Sequence, residues 1–205
     1  MNSNNNYEWL SYFIGFGLKP DYEKMDNFLL GIYPQLQIWQ NDNLLTKFIY
    51  TRYFQKITSK FEVFKNYLGK PYCYTILRLY TDKSKTTTIT NKMKNYLNSL
   101  KETKIVDAWE INNDWGLHNE NCYKDFGSRD FYIVIDDYMH YISMITLELL
   151  TYEQSTKNKD SSGRKIWSLY KNAPYWAHML LNQMGIDDSG LNPNGIPVKY
   201  SIFRI

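Results

Sequence analysis

Imidazole, amide and carboxylate side chains at helical or paired spacing are the first places to look for chemistry in this chain. His178 and Asn182 stand at i and i+4 in Pro174-Tyr175-Trp176-Ala177-His178-Met179-Leu180-Leu181-Asn182-Gln183-Met184-Gly185, so a helix there puts both on one face. An imidazole beside an amide can give or take a proton near neutral pH, although a hydrogen-bonded structural histidine fits the same spacing. His118 and His140 share no metal-ligand spacing with His178 or with each other. Asp136-Asp137 follows the apolar run Phe131 to Ile135, but neighbours on a strand point to opposite faces and no third carboxylate is close, so Asp137 is expected to cap a helix and no metal is implied. Cys73 and Cys122 lie far apart with no C-x-x-C, which suggests neither zinc nor a disulfide framework and makes a reducing cytoplasm the default location. The chain contains no G-x-S-x-G, G-x-x-x-x-G-K, H-E-x-x-H or calcium loop, which disfavours standard hydrolase and kinase chemistry.

The elements that must carry these groups alternate between strand and helix patterns. Tyr7 to Phe16 is aromatic-rich and ends at the breakers Gly15, Gly17 and Pro20, which favours a first strand. Asp21 can cap a helix in which Met25, Phe28, Leu29, Ile32, Leu36 and Trp39 recur at three- and four-residue steps, with Pro34 a potential kink. Lys47 to Phe54 and Pro71 to Tyr80 alternate as strands, each with an arginine inside it. After Asp82 a helix comes next with Ile89, Met93, Tyr96, Leu97 and Leu100 on one face, then a strand from Lys104 to Ile111. Residues 112–130 hold turn formers without a period and are expected to form a long loop of the kind that carries function. Helices over about 137–154 and 164–184 come after it, and Val198 to Ile205 is a candidate closing strand.

This layout predicts the α+β class: a single twisted, largely antiparallel sheet with several helices packed on it, forming one domain over residues 1–205. At 205 residues, with 43% hydrophobic and 17% aromatic content, the chain can bury its own core. Its 24 Lys+Arg against 21 Asp+Glu leave +3, too small a charge for a dedicated nucleic-acid binder. The opening residues lack a positive export-signal region, and charges at Asp136, Asp137, His140 and Glu148 interrupt the longest apolar stretch, so a soluble protein without a membrane partner is expected.

Several segments in order resemble one family, the thiopeptide-type bacteriocin biosynthesis domain, which is also the C-terminal elimination domain of lantibiotic dehydratases. Trp9-Leu10-Ser11-Tyr12-Phe13-Ile14 resembles the family's opening strand, and Ile32-Tyr33-Pro34 its helix with a proline. Phe48-Ile49-Tyr50-Thr51-Arg52-Tyr53 resembles its aromatic Arg-Tyr strand. Thr75-Ile76-Leu77-Arg78-Leu79-Tyr80 is similar to its His-Ile-Arg-Leu-Arg strand. His178-Met179-Leu180-Leu181-Asn182-Gln183-Met184-Gly185 is similar to its His-Met-x-x-Asn-Arg-x-x-Gly helix. The family's elimination enzymes hold a glutamyl ester with arginines, but Tyr80 stands at the second arginine of the strand, Thr75 at its histidine and Gln183 at the arginine of the helix.

Those departures make the chain most similar to the stand-alone thiopeptide macrocyclases, which join two dehydroalanines in a formal [4+2] cycloaddition, form the central pyridine and release the leader peptide. The resemblance implies no cofactor and a leader-bearing modified precursor peptide as partner, with other biosynthetic enzymes as further candidate partners. It implies His178 as acid/base and Arg78 and Tyr80 as donors at the peptide. Asn182, Gln183 and Arg52 are further candidate substrate contacts, with Trp109, Trp115 and Tyr123 lining an aromatic groove for the peptide. The alternatives are a glutamate-eliminating subunit of a split dehydratase, with Arg129 supplying the missing guanidinium, and a non-catalytic peptide-binding scaffold or toxin-immunity protein.

Overall fold

A computed structural model describes residues 6–19, 21–57, 62–112 and 129–156. The chain divides into two compact units, Met1–Leu150 and Thr151–Ile205, and the described elements belong to the first apart from the end of the last helix. In chain order they are β1 (Tyr7–Gly17), α1 (Tyr22–Asn41), β2 (Lys47–Lys56), β3 (Pro71–Asp82), α2 (Thr86–Glu102), β4 (Ala108–Ile111) and α3 (Arg129–Thr156). The strands form one antiparallel sheet in the order β2-β3-β1-β4, so the fold is α+β. This βαββαβ order is the split β-α-β arrangement of ferredoxin-like folds.

Local chemistry explains the element ends. The Asp21 carboxylate accepts the Lys24 amide at 2.9 Å and starts α1, which runs through Pro34 without ending. Asn43 (φ 55°) and Lys104 (φ 60°) are left-handed residues just past α1 and α2. In each case the next amide reaches back to close the helix, Leu44 N to Trp39 O at 2.8 Å and Ile105 N to Leu100 O at 3.0 Å. That closure corrects the expected strand from Lys104: the segment from Lys104 into Val106 finishes α2, and β4 begins only at Ala108.

Two further boundaries differ from the sequence reading. β1 runs one residue beyond the expected end, to Gly17, and Gly15 marks a shift of register against β3 and not the end of the strand; a Cβ there would meet Tyr72 Cε1 at 2.6 Å and Phe64 Cε1 at 2.7 Å. Glycine lets two aromatic rings lie against the strand. α3 starts at Arg129 and not at about 137, so Asp137 is no cap, and Asp136 and Asp137 lie inside the helix. The expected helix over 164–184, the closing strand at Val198 to Ile205 and most of the 112–130 loop lie outside the described residues.

Helices α1 and α2 share one sheet face. Met25, Phe28, Leu29, Ile32 and Leu36 of α1 and Ile89, Met93 and Leu97 of α2 are fully buried, worth roughly 1.5–3 kcal/mol for each large apolar side chain removed from water. Contacts place them over the sheet: Cys73 Sγ lies 3.1 Å from Met25 Sδ, and the Phe28 ring is 5.7 Å from Phe16 and 6.5 Å from Tyr96. The other face has a separate aromatic core in which Phe64, from the β2–β3 connection, packs with Ile57 on Phe13, Tyr72, Tyr74 and Ile76.

Candidate functional site

Strand register decides which candidate residues share a surface. Arg78 lies opposite Ser11 and Ile49, and Tyr80 opposite Trp9 and Lys47. These residues project from the sheet face that α1 and α2 leave free, at the end away from Phe64. Arg52 lies opposite Thr75 and Trp109 opposite Ile14, which puts both on the helix-covered face. Arg52 Nη1 donates to Asp26 Oδ1 of α1 at 2.6 Å, and Trp109 Nε1 donates to Asn98 Oδ1 of α2 at 3.2 Å. The fold therefore brings Arg78 and Tyr80 together and holds Arg52 and Trp109 away from them. His178, Asn182, Gln183, Trp115 and Tyr123 lie outside the described residues, and nothing of the Arg129 side chain is described.

Around Arg78 and Tyr80 the site is aromatic and charged. Tyr80 stacks on Tyr7 with centroids 5.4 Å apart and meets Trp9 at 5.0 Å. The Lys47 ammonium sits 5.0 Å from the Tyr80 ring centroid and 5.8 Å from that of Trp9. It bridges Asp136 Oδ2 at 2.6 Å and Asp137 Oδ1 at 2.7 Å. Arg78, only 3% exposed, directs Nη1 to Thr51 Oγ1 at 3.5 Å. The adjacent acids thus converge on a lysine; among the described residues no group of three His, Cys, Asp or Glu gathers to hold a metal.

The charges respond to this setting. Burial works against the Lys47 ammonium, but hydrogen bonds and charge from the two aspartates outweigh it and hold the pKa above that of a free lysine. Burial pushes the Asp136 carboxyl up, against the pull of Lys47 and Arg78 and with the help of Asp137. The two shifts need not mirror each other, because Lys47 answers to two carboxylates whereas Asp136 is governed by its burial.

Helix α3 sits along β2, the edge strand, through polar side chains. His140 Nδ1 lies 2.8 Å from the Phe48 carbonyl oxygen and 3.2 Å from the Phe48 amide nitrogen, and Ser143 Oγ accepts the Tyr50 amide at 3.3 Å. With its proton on Nδ1 the ring donates to the carbonyl and leaves Nε2, 3.5 Å from Gln40 Nε2, as an acceptor; with its proton on Nε2, Nδ1 accepts the Phe48 amide instead. These side chains do for the edge what a neighbouring strand would do. The sequence suggests His140 near a helix start at the surface or core rim; it is mid-helix and buried. A signal for this was present: Asp136, His140, Ser143, Leu147 and Leu150 recur at alternating four- and three-residue steps and are the buried stripe of α3.

This contact makes stability depend on pH. Burial depresses the His140 pKa, opposed by its bond to the Phe48 backbone, with Lys47 lowering it and Asp137 raising it further. A depressed folded pKa means that the unfolded chain binds the proton more readily. The contribution is present above the unfolded value of about 6.5 and is lost as pH falls through the folded one. Stability measured by urea unfolding should therefore fall between about pH 7 and pH 5, and His140→Gln, which keeps polar groups there without titrating, should flatten that slope. An unchanged slope in the variant would remove His140 as its source.

No helix among the described residues is long and apolar enough to cross a membrane. No protein-family model matches the chain, and no curated protein matches it.

Proposed function

We propose that the chain binds a dehydroalanine-bearing modified peptide and closes it by a formal [4+2] cycloaddition, in the manner of the thiopeptide macrocyclases. Support comes from one juxtaposition: segments far apart in sequence, each resembling that family, meet face to face on neighbouring strands as Ser11 with Arg78 and Trp9 with Tyr80. A cycloaddition asks little covalent help of its enzyme. Holding diene and dienophile in contact supplies up to roughly 7–11 kcal/mol, and donors at the amide oxygen favour the iminol tautomer from which the ring forms. An aromatic floor of Trp9 and Tyr80 suits a dehydrated, heterocycle-bearing peptide, with Arg78 and His178 supplying donors and proton transfer. Water and the leader, released as an amide, then leave as the pyridine forms. Glutamate elimination is a poorer fit, because Tyr80 holds the position of the second arginine and Arg52 faces α1.

A non-catalytic peptide-binding role has a different observation in its favour. Arg52 is ion-paired to Asp26 and Lys47 to Asp136 and Asp137, so these cations already have partners within the fold. Mass spectrometry of a linear, dehydroalanine-bearing precursor separates the two roles. The cyclase should yield a product lighter by one water and the leader amide, with yield cut by Tyr80→Phe and His178→Ala. A peptide that binds and keeps its mass under the same conditions would overturn the cyclase and leave the binding role.

A further inference from the structure

Among the described residues, β2 is an edge strand that is covered only in part. Phe48 and Tyr50 turn backbone groups outward, where His140 and Ser143 meet them. The two-residue alternation of an antiparallel strand then turns the backbone of Arg52, Phe54 and Lys56 outward too, while odd-numbered residues serve the ladder to β3, as Ile57 N does in donating to Lys70 O at 3.0 Å. Among the described residues, no hydrogen bond reaches the outward amides and carbonyls of Phe54 and Lys56. The Phe54 side chain is 41% exposed, and Lys56 is exposed. Two outward residues offer two donors and two acceptors, spaced as an added strand requires.

The charge around this edge selects its occupant. Lys47 and Arg52 are already matched by acids, but at this end of the strand Lys56 is exposed, and residues 43–57 contain no aspartate or glutamate. Lys70, beside the end of β2 through its bond with Ile57, is exposed as well. A second copy of the same edge would set like charges against each other, which is how lysine on an edge strand prevents self-association. An acidic strand meets the opposite condition.

We propose that residues 54–56 of β2 form a strand-addition site for an extended acidic peptide segment. Resting on the proposed peptide-processing function, this segment is the leader portion of the precursor, held by its backbone while the remainder reaches the Arg78–Tyr80 face. Backbone pairing gives affinity with little sequence demand, and the lysines set the sign of the charge.

The test exploits the strand's alternation. Phe54→Pro deletes an outward amide but leaves the odd-numbered ladder bonds to β3, and proline is tolerated at such edge positions. Phe54→Ala removes the ring and keeps the amide. The probe is a short fluorescent peptide alternating Glu with Val or Thr, measured by anisotropy against a counterpart with Lys in place of Glu. Expected are binding of the acidic peptide alone, a loss of at least about tenfold in Phe54→Pro and a much smaller loss in Phe54→Ala. Lys56→Glu, an exposed change that does not touch the ladder, should weaken the acidic peptide and covers the case in which the proline variant fails to fold. Equal binding of both peptides, or undiminished binding by Lys56→Glu or by folded Phe54→Pro, would overturn the site. Edge binding without any cyclised product would overturn the reaction alone, and cyclised product without edge binding would overturn the edge alone.

Discussion

Lys47→Met should lower the stability of the fold by about 3 kcal/mol at neutral pH, near the lower end of the cost of removing one partner of a buried ion pair. Methionine fills much of the space of the lysine stem, so the loss reports the charge. The Lys47 side chain is 12% exposed, and its ammonium serves Asp136, whose side chain is 5% exposed, and Asp137, whose side chain is 55% exposed. Without Lys47, Asp136 keeps, among the described residues, the charge of Arg78 in an environment that already raises its pKa. A raised folded pKa contributes stability in full below the unfolded value of about 3.9 and loses it as pH rises through the folded value. The deficit of Lys47→Met should therefore be largest at neutral pH and shrink as the solution is acidified towards the carboxylate range. Asp137→Asn should cost less than about 1 kcal/mol, because water already screens that partner. Adding Asp136→Leu to Lys47→Met should recover most of the loss in a double-mutant cycle followed by urea unfolding. A deficit for Lys47→Met below about 1 kcal/mol and independent of pH would show that the pair does not anchor α3.

Gly15→Val should be as damaging, for a reason of space. The first added carbon already lands 2.6 Å from Tyr72 Cε1 and 2.7 Å from Phe64 Cε1, and both rings are fully buried in the aromatic core beneath the β2–β3 connection. Overpacking usually costs about 1–3 kcal/mol, and rings hemmed in on every side place valine at about 3 kcal/mol or more. Alanine at the same position should be milder. Gly17 makes the contrast: no described residue lies within 4 Å of its Cβ position, but its φ is +116°, so Gly17→Ala carries mainly a backbone cost of about 1 kcal/mol. Phe64→Ala combined with Gly15→Val should show a favourable coupling, since the smaller side chain makes room. Thermal unfolding of Gly15→Val at the wild-type temperature would refute the crowded core.

The elements that could be read from sequence were those with strong periodicity and chemical punctuation. The Asp21 cap, the apolar face of α1, the alternation of β2 and β3, and Ile89, Met93 and Leu97 on α2 all stand where pattern places them. The misreadings have physical causes. The run Phe-Tyr-Ile-Val-Ile at 131–135 is β-branched and aromatic, so local propensity argues against a helix that packing nonetheless forms, and Asp136-Asp137 then reads as a boundary. Gly15 reads as a breaker because the rings that require it come from Phe64 and Tyr72, much later in the chain. Arg52 and Arg78 each sit inside an alternating strand, but only the register between β2 and β3 reveals that they point to opposite faces. Lys47 is silent in the sequence for the same reason: its partners lie on α3, and no local pattern in β2 announces them.

The order of strands in the sheet separates the order of synthesis from the order of folding. β1 is made before both its neighbours in the sheet, β3 and β4, which belong to later parts of the chain. At the usual pace of about 5–20 residues per second, the ribosome takes several seconds to deliver β3 after β1. Until then Leu10, Ile14 and Phe16 lack their strand partners and have only α1 to pack on, and Phe13, on the opposite face, lacks even that. The nascent chain therefore passes through a stage in which its future centre is its stickiest part, and the emergence of β3, which supplies the partner for both β1 and β2, is the event that ends it.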